Sequence, residues 1–327
     1  MAVACLATTA CTDTDPAAPT YRHDPAATAS PRAAGESYAT PEEIAACEKI
    51  DYSDPAQGRL TFSEDFDGSA LDPSRWRVRD DTYLDFDQAQ IRAENVTVHD
   101  GLLDIAGRRL PESEWITTPR SRYDWNQVRD YSTGYVDGIK DAEFGSPASA
   151  DRFSQRYGYF EIRAKLPSRS TMSRGVWPAF WLRGDSTLGE IDPMEAYGGP
   201  TSRRDDPSAT YFWNSWEETT QIRSKDHADG RVVVPGGEPI WQDFHTFGVN
   251  WSPTCLRYTL DGRTVGVVST AAKPYLAGPA FDDTFHVRLN MQVGSNYWGR
   301  ADPRHTRDEF HYLVDWVRVH QGFEHLP

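Results

Sequence analysis

Residues 190–195 read Glu-Ile-Asp-Pro-Met-Glu, and they follow closely on the apolar segment Gly-Val-Trp-Pro-Ala-Phe-Trp-Leu at residues 175–182. The surroundings of the acidic residues are those of a β-strand and not of a solvated charge run. Side chains alternate between the two faces of a strand, so Glu190 and Asp192 share one face and Ile191 points into the core. The sequence therefore predicts a sheet with a buried face and an acidic face.

The second glutamate of this segment needs a break in the alternation. Glu195 is five residues beyond Glu190, and a regular strand would turn it to the opposite face. One extra residue after Asp192 restores the parity, as a β-bulge does. Pro193 supports a bulge because proline cannot donate to a sheet ladder and is tolerated mainly at bulges and edges. We therefore expect all three carboxyl groups on one side.

Carboxyl groups held this close together have a distinctive chemistry. Like charges raise one another's pKa, so at least one group stays protonated near neutral pH. Cleavage of a glycosidic bond needs such a pair: an acid that protonates the leaving oxygen and a carboxylate that attacks or stabilises the anomeric carbon. Two glutamates on one strand fit the roughly 5–5.5 Å separation of retaining enzymes better than the roughly 6.5–9.5 Å of inverting ones. The alternative is an acidic sheet edge that binds a cation.

Length and composition restrict the class of protein. A chain of 327 residues forms one large all-β domain or two smaller domains. An aromatic content of 12% can fill a core and still supply a binding surface. The net charge of −15 argues against nucleic acid and anionic membranes as partners and suits a soluble, often secreted protein. We expect a monomer.

The N-terminal part of the chain differs in composition from the rest. Residues 1–11 resemble the remnant of an export signal, and Thr-Thr-Ala-Cys11 resembles a lipoprotein box with Cys11 as the lipidated residue. Plain signal-peptidase cleavage is the alternative. Residues 12–45 are rich in Ala, Pro and Thr and predict a disordered tether. Residues 46–327 then form a single catalytic domain, secreted or held at the cell surface.

Two cysteines remain in that domain, Cys47 and Cys255. Export would permit a disulfide between them. Two buried free thiols are the alternative, because the sequence does not show that the two positions are close.

From about residue 58 the chain reads as strand after strand. Asp100-Gly101 and Asp261-Gly262 predict tight hairpin turns, and only residues 41–49 suggest a helical turn. This pattern predicts an all-β, jelly-roll sandwich of two antiparallel sheets. The predicted strands lie within residues 60–66, 95–105, 159–167, 247–251, 256–268, 285–293 and 311–319.

One face of these strands suits a sugar chain. Indole rings stack on the apolar faces of pyranoses, and planar amides bind the hydroxyls at their rims. Trp177 and Trp181 share a side of the strand that precedes the carboxylates. The candidate substrate-binding residues are Trp177, Trp181, Arg163, Asn290, Gln292 and Trp298.

Several motifs in a fixed order resemble glycoside hydrolase family 16. They are Glu-Asp-Phe-Asp-Gly at 64–68, Tyr-Gly-Tyr-Phe-Glu-Ile-Arg-Ala-Lys-Leu-Pro at 157–167, Gly-Val-Trp-Pro-Ala-Phe-Trp at 175–181, Gly-Glu-Ile-Asp-Pro-Met-Glu at 189–195, Leu-Asn-Met-Gln-Val-Gly at 289–294 and Val-Asp-Trp-Val-Arg-Val at 314–319. The resemblance covers residues 58–321 and includes the bulged Glu-x-Asp-x-x-Glu element.

The resemblance implies a concanavalin-like jelly roll with a concave cleft and endo-type cleavage of β-linked polysaccharides with retention of configuration. It implies Glu190 as nucleophile, Glu195 as acid/base and Asp192 as the partner that tunes Glu190. No cofactor is implied for catalysis. A structural calcium ion is implied at the positions that match Glu64, the Gly101 carbonyl and Asp315, with a solvated acidic surface as the alternative.

One departure bears on the substrate. Laminarinase-like members with the bulged motif often carry a histidine on the next strand, but residues 209–216 contain none, and Tyr211 or Trp213 is expected to stand in. The favoured substrate is β-1,3- or mixed-linkage β-glucan. The alternatives are a red-algal galactan, as for agarases and carrageenases, transglycosylation, and a non-catalytic carbohydrate-binding module.

Overall fold

The computed structural model describes residues 37–84, 87–118, 128–141, 148–187, 189–200, 207–217, 226–294 and 299–327. The described chain is built almost entirely of strands. None of the helices in these ranges is long and apolar enough to cross a membrane.

One α-helix and twenty strands make up the regular structure of the described ranges. The helix α1 is Pro41–Glu48. The strands are β1 Gly58–Glu64, β2 Arg77–Val78, β3 Thr82–Tyr83, β4 Ala89–Ile91, β5 Val96–His99, β6 Leu102–Arg109, β7 Ile116–Thr117, β8 Val128–Arg129, β9 Tyr131–Thr133, β10 Tyr135–Asp137, β11 Gly158–Lys165, β12 Val176–Gly184, β13 Glu190–Glu195, β14 Thr210–Glu217, β15 Asp226–Val233, β16 His245–Trp251, β17 Cys255–Leu260, β18 Arg263–Ser269, β19 Phe285–Val293 and β20 Glu309–Gly322. Short 3-10 turns cover Ala93–Asn95, Glu112–Glu114, Pro235–Gly237, Pro274–Ala277, Pro279–Phe281 and Phe323–His325.

Two large sheets pack face to face, which confirms the predicted all-β sandwich. The outer sheet runs β18-β17-β16-β11-β20-β6-β9-β4-β3, with β1 also paired to β20 and β5 to β6. The site sheet runs β15-β14-β13-β12-β19-β10-β2. Nearly all neighbours are antiparallel, and the pair β4–β9 is parallel. The acidic strand β13 therefore lies inside its sheet, between β12 and β14.

The core between the sheets follows the predicted alternation. In β11, Phe160 and Ile162 are fully buried, and in β19 Leu289 and Met291 are. Burying such side chains contributes roughly 1.5–3 kcal/mol each. The residues of β19 that alternate with these buried ones point away from the core. Its polar side chains therefore lie on the other face of the site sheet.

The two predicted hairpin turns are confirmed. Asp100 and Gly101 link β5 to β6 with φ angles of 53° and 74°. Asp261 and Gly262 link β17 to β18 with φ angles of 49° and 72°. Positive φ at both central residues is the backbone of the turns that match strand twist, and Asp-Gly tolerates it well.

Residues 38–45, the last part of the predicted tether, already contain regular structure. Tyr38 pairs in parallel with Val268 of β18, and Thr40 caps helix α1 in a capping box with Glu43. The helix thus covers an edge strand of the outer sheet, which would otherwise expose unpaired backbone groups. Residues 1–36, including the predicted leader and Cys11, lie outside the described residues.

A disulfide between Cys47 and Cys255 fastens this helix to β17. Its Cα–Cα distance is 6.2 Å, and it closes a loop with a sequence separation of 208 residues. Of the two alternatives that the sequence left open, the structure has the bond and not the free thiols.

We expect the double variant Cys47→Ala/Cys255→Ala to be less stable than the native chain. Closing a loop of this length stabilises a protein by up to about 5 kcal/mol through the entropy of the unfolded chain. Thermal melts with and without a reducing agent measure the effect. Reduction should lower the melting temperature of the native chain and leave that of the double variant unchanged, and an unaffected native chain would contradict this role.

Candidate active site

The bulge in β13 is confirmed by its register against both neighbours. Asp192 pairs with Asn214 of β14, and Glu195 pairs with Phe212, so three steps along β13 match two along β14. A register shift also occurs on the other side, between β13 and β12. Ile191 and Met194 are fully buried in the core. The extra residue therefore keeps Glu195 on the same face as Glu190 and Asp192, the face that points away from the core.

Three hydrogen-bond donors surround Glu195. The Trp177 indole donates to Oε1 at 2.9 Å, and the Asn214 amide donates to Oε2. Tyr197 also hydrogen-bonds to this carboxyl group. Ring contacts connect Tyr197 to Trp177 and Phe212, with centroids 5.2 and 5.4 Å apart. Aromatic side chains therefore form a wall around a fixed carboxyl group.

This enclosure sets the protonation state of Glu195. Removal from solvent, followed by the negative charge of Glu190, raises the pKa of Glu195 to about 7. The hydrogen bonds from Trp177, Tyr197 and Asn214 act in the opposite direction, because they stabilise the ionised form. A carboxylic acid with this pKa can both give and take a proton near neutral pH.

Glu190 lies in a different environment on the same face. Arg183 of β12 is its direct cross-strand partner, and the guanidinium Nη1 donates to Glu190 Oε2 at 2.7 Å. An arginine in contact favours the ionised form of a carboxyl group. Asp192 lies between the two glutamates in the strand and is only 4% exposed. The two outer carboxyl groups are thus distinguished by their surroundings, one by a cation and one by burial.

Replacing Asn214 with Ala tests how much its hydrogen bond lowers the pKa of Glu195. Removing a donor from the ionised carboxylate should raise the pKa of Glu195 from about 7 to about 8, since a hydrogen bond to a charged group contributes about 1.5 kcal/mol. Carbon-13 NMR titration of glutamate-labelled protein measures this without relying on turnover. Glu195→Gln identifies the resonance. A pKa that stays the same or falls would show that the amide does not stabilise the carboxylate.

Four of the six predicted substrate-binding residues lie together on the acidic face. Trp177 pairs across strands with Gln292, and the Trp181 indole donates to Asn290 Oδ1 at 2.6 Å. Both pairs connect β12 to β19. They form a polar and aromatic surface directly beside the strand that carries the carboxyl groups.

The other two predicted positions do not join this surface. Arg163 lies on β11 of the outer sheet, where it forms an ion pair with Asp315 and stacks on Phe244 at 4.7 Å. The alternation of β11 predicts correctly that Arg163 points outward, but it does not reveal that β11 belongs to the opposite sheet. The prediction that Arg163 contacts substrate at this face is therefore wrong. Trp298 lies outside the described residues.

The two residues of β14 expected to replace the histidine of laminarinase-like members point into the core and not toward the acidic face. Tyr211 and Trp213 are 0% and 1% exposed and belong to the core. The Trp213 ring stacks on Tyr258 with centroids 4.4 Å apart. The residues of β14 that reach the acidic face have the other parity, and among them Asn214 donates a hydrogen bond to Glu195.

A further polar network on this face was not predicted from the sequence. Arg288 donates to His286 Nε2 at 2.9 Å, and His286 Nδ1 lies 2.8 Å from Asp185 Oδ1. Because arginine can only donate, His286 is neutral and its Nδ1–H donates to Asp185. Burial accordingly lowers the pKa of His286. Arg288 also lies over the Trp181 ring at 4.7 Å. The alternation of β19 could have identified Arg288, since it shares the parity of Asn290 and Gln292.

The two carboxylates implied for calcium are paired with arginines. The Glu64 carboxylate accepts from Arg75 at 2.7 Å and from the Trp76 indole at 3.0 Å, and Asp315 is paired with Arg163. Among the ranges described, no group of three or more His, Cys, Asp or Glu side chains is placed to hold a metal ion. A calcium ion at these positions, which would also use the Gly101 carbonyl, stays a prediction.

The sandwich with its acidic, aromatic sheet face belongs to the carbohydrate-active jelly rolls. A sequence model of the β-porphyranase A–D catalytic domain of glycoside hydrolase family 16 matches residues 59–321. That match extends from the second residue of β1 to the penultimate residue of β20. The chain therefore belongs to glycoside hydrolase family 16.

Individual proteins are also similar to this chain, two in sequence and one in structure. The chain is 27% identical to glucan endo-1,3-β-glucosidase A1 of Niallia circulans over 298 residues, with coverage of 82% of this chain and 39% of that protein. It is 26% identical to the β-glucanase of Rhodothermus marinus over 302 residues, covering 84% of this chain and 89% of that protein. The laminarinase catalytic domain of Thermotoga petrophila superposes with a TM-score of 0.62 at 24% identity, covering 81% of this chain and 98% of that one.

Proposed function

We propose that this protein is a retaining, endo-acting glycoside hydrolase that cleaves a β-linked polysaccharide. The observation that carries this proposal is the bulge in β13, which puts Glu190 and Glu195 on one face in opposite electrostatic environments. Family membership supports the same class of activity.

The two environments assign the roles. Protonated Glu195 gives its proton to the oxygen of the leaving sugar, and the Glu190 carboxylate forms a bond to the anomeric carbon as the glycosidic bond breaks. Glu195, now ionised, then takes a proton from water. The water oxygen bonds to the anomeric carbon, and the bond to Glu190 breaks. Two inversions give net retention, and both carboxyl groups return to their starting states.

Asp192 is proposed to tune Glu190. It lies two residues from Glu190 on the same face and is almost fully buried. In this position Asp192 would orient the neighbouring Glu190 carboxylate for attack.

The favoured substrate is β-1,3- or mixed-linkage β-glucan. The named activities of the Niallia and Rhodothermus relatives support this choice. The face beside the carboxyl groups also suits it, because Trp177 and Trp181 offer indole rings and Asn290 and Gln292 offer amides to a neutral sugar chain.

An anionic red-algal galactan is the second candidate. The matching family model is of the β-porphyranase type. On the acidic face, the hydrogen bonds of Arg288 go to His286 and to the Tyr135 hydroxyl, two neutral groups. A guanidinium on this face could donate hydrogen bonds to a negatively charged substituent of the substrate.

A substrate panel tests the proposal. Laminarin, lichenan, agarose, carrageenan and porphyran are incubated with the protein, and new reducing ends are measured. Release of oligosaccharides from laminarin or lichenan supports the favoured substrate, and release from porphyran or carrageenan supports the second. Products longer than an added oligosaccharide would indicate transglycosylation. Binding without any cleavage would indicate a carbohydrate-binding module and would refute the enzyme.

We also propose that the protein acts as a monomer outside the cytoplasm, either secreted or anchored through Cys11. The Cys47–Cys255 disulfide supports export, because such bonds persist in oxidising compartments. Cell fractionation distinguishes medium, membrane and cytoplasm, and recovery from the cytoplasm alone would refute export. Size-exclusion chromatography with light scattering gives the oligomeric state.

A further inference from the structure

One carboxyl group of β13 is in direct contact with a cationic side chain. Arg183 and Glu190 are directly opposed residues of β12 and β13, and their side chains meet at 2.7 Å. Both are largely removed from solvent, with side-chain exposures of 14% and 24%. Partly buried pairs of this kind interact more strongly than surface pairs, because water screens them less.

The position of Arg183 follows from the register of the site sheet. Arg183 continues the series Trp177, Ala179 and Trp181 that faces the site, and it reaches Glu190 ahead of the bulge, where the pairing is regular. Directly opposed side chains have Cβ atoms only about 4.5–5.5 Å apart. The bulge therefore moves Glu195 while leaving the contact between Arg183 and Glu190 intact.

Within the described ranges, further charged groups lie near Glu190. Asp192 and Glu195 of the same strand are acidic. Arg288 of β19 interacts with Glu190 through its charge. On the β14 side, Glu190 is opposite Trp216, with His227 of β15 stacked on that ring at 4.4 Å. The ion pair with Arg183 is the one between directly opposed strand residues.

We propose that Arg183 is a positioning residue of this active site, which holds the Glu190 carboxylate for attack and assists its departure from the glycosyl-enzyme. The inference deepens the proposed function and rests on it. Nη1 donates to Oε2 and so fixes the orientation of the Glu190 carboxylate on the acidic face. Holding the attacking carboxylate in one orientation relative to the anomeric carbon lowers the barrier of the first step.

Arg183 affects the formation and the hydrolysis of the glycosyl-enzyme differently. In the glycosyl-enzyme, Glu190 is an uncharged ester, and hydrolysis releases it again as a carboxylate that Arg183 receives. A cation placed where negative charge develops stabilises that transition state. Loss of Arg183 should therefore slow the second step most, so that the covalent intermediate accumulates.

The test uses Arg183→Met, with Arg183→Lys as the variant that keeps the charge. Arg108→Met is the matched control, because Arg108 and Glu309 are also directly opposed strand residues joined by an ion pair, but on the outer sheet. The substrate is an aryl glycoside of an oligosaccharide from the polysaccharide that the native protein cleaves. Steady-state constants, burst kinetics and intact mass are measured.

We expect Arg183→Met to lower kcat by about 10²-fold, to lower KM as well, and to show a burst of aryl alcohol with a protein species heavier by the oligosaccharyl group of the substrate. Arg183→Lys should recover part of the loss, and Arg108→Met should behave like the native protein. Native kcat and KM without a burst in a folded Arg183→Met would overturn the inference, even if the proposed function holds.

A second arm does not depend on turnover. Carbon-13 NMR follows the Glu190 carboxyl group, assigned with Glu190→Gln, in the native protein and in both Arg183 variants. Its titration midpoint should move to higher pH in Arg183→Met and stay closer to the native value in Arg183→Lys. A midpoint that does not move would overturn the inference. If the native protein cleaves no substrate, the proposed function fails, and this arm still decides whether Arg183 holds the carboxylate. If Arg183→Met does not fold, Arg183→Lys is compared with the native protein in both arms.

Discussion

Replacing Glu190 with Gln should reduce polysaccharide cleavage by at least about 10⁴-fold, the scale seen when a residue of a nucleophilic unit is removed. The amide cannot form the covalent bond to the anomeric carbon, and Glu190 is the carboxyl group of β13 that lies directly opposite Arg183. Release of reducing ends from the substrate identified in the panel measures the loss.

The Glu190→Gln variant should still fold and bind sugar. The amide keeps the shape of the carboxylate and one acceptor oxygen for Arg183, so the melting temperature should change little. Affinity electrophoresis in the polysaccharide reports binding. Native turnover in a folded Glu190→Gln protein would show that the nucleophile has been assigned to the wrong residue.

Replacing Glu195 with Gln should give a loss that depends on the leaving group. General acid catalysis contributes about 10²–10⁴-fold, so polysaccharide cleavage should fall by that factor. Formation of the glycosyl-enzyme from a nitrophenyl glycoside should fall far less, because nitrophenolate leaves without a proton. Comparing the two substrates in one variant separates the loss of a proton donor from misfolding.

The pH profile gives an independent check on Glu195. Its pKa is raised to about 7 by burial and by Glu190. Only the protonated form gives a proton to the leaving oxygen, so kcat/KM of the native protein should fall as the pH rises through about 7. In Glu195→Gln this basic limb should disappear for the nitrophenyl glycoside. A limb that persists would assign the titration to another group.

Local patterns in the sequence predict a large part of this structure. The parity of β13 predicts the bulge, and the Asp-Gly turns predict two hairpins whose strands pair as expected. The strict alternation of β11 and β19 predicts which of their residues are buried. These features depend on neighbours within a few residues, and the rules for strands apply to them directly.

Contacts between distant strands could not be predicted in the same way. Arg183 and Asn214 face the carboxyl groups because β12 and β14 pair with β13 in a particular register, and a one-residue slip would reverse every side chain. The same limit applies to Arg163, whose strand belongs to the other sheet. Sequence distance likewise does not reveal that Cys47 meets Cys255.

Strand β14 shows why parity alone can mislead. Aromatic residues occupy both of its faces, with Tyr211 and Trp213 toward the core and Phe212 and Trp216 toward the site. Its sequence therefore lacks the apolar–polar alternation that indicates the buried side. Gly230 of β15 and Gly266 of β18 leave the space that Trp213 fills, because a Cβ at either position would come within 2.5 Å of its ring.

In the proposed double displacement, Glu190 attacks the anomeric carbon and Glu195 protonates the oxygen of the same glycosidic bond. Proton NMR of the anomeric region during the first minutes of cleavage reports the configuration of the new reducing end before mutarotation, and it therefore distinguishes retention from inversion. We expect the β-anomer to form first from the β-linked substrate. Initial formation of the α-anomer would mean a single displacement by water and would refute the double displacement.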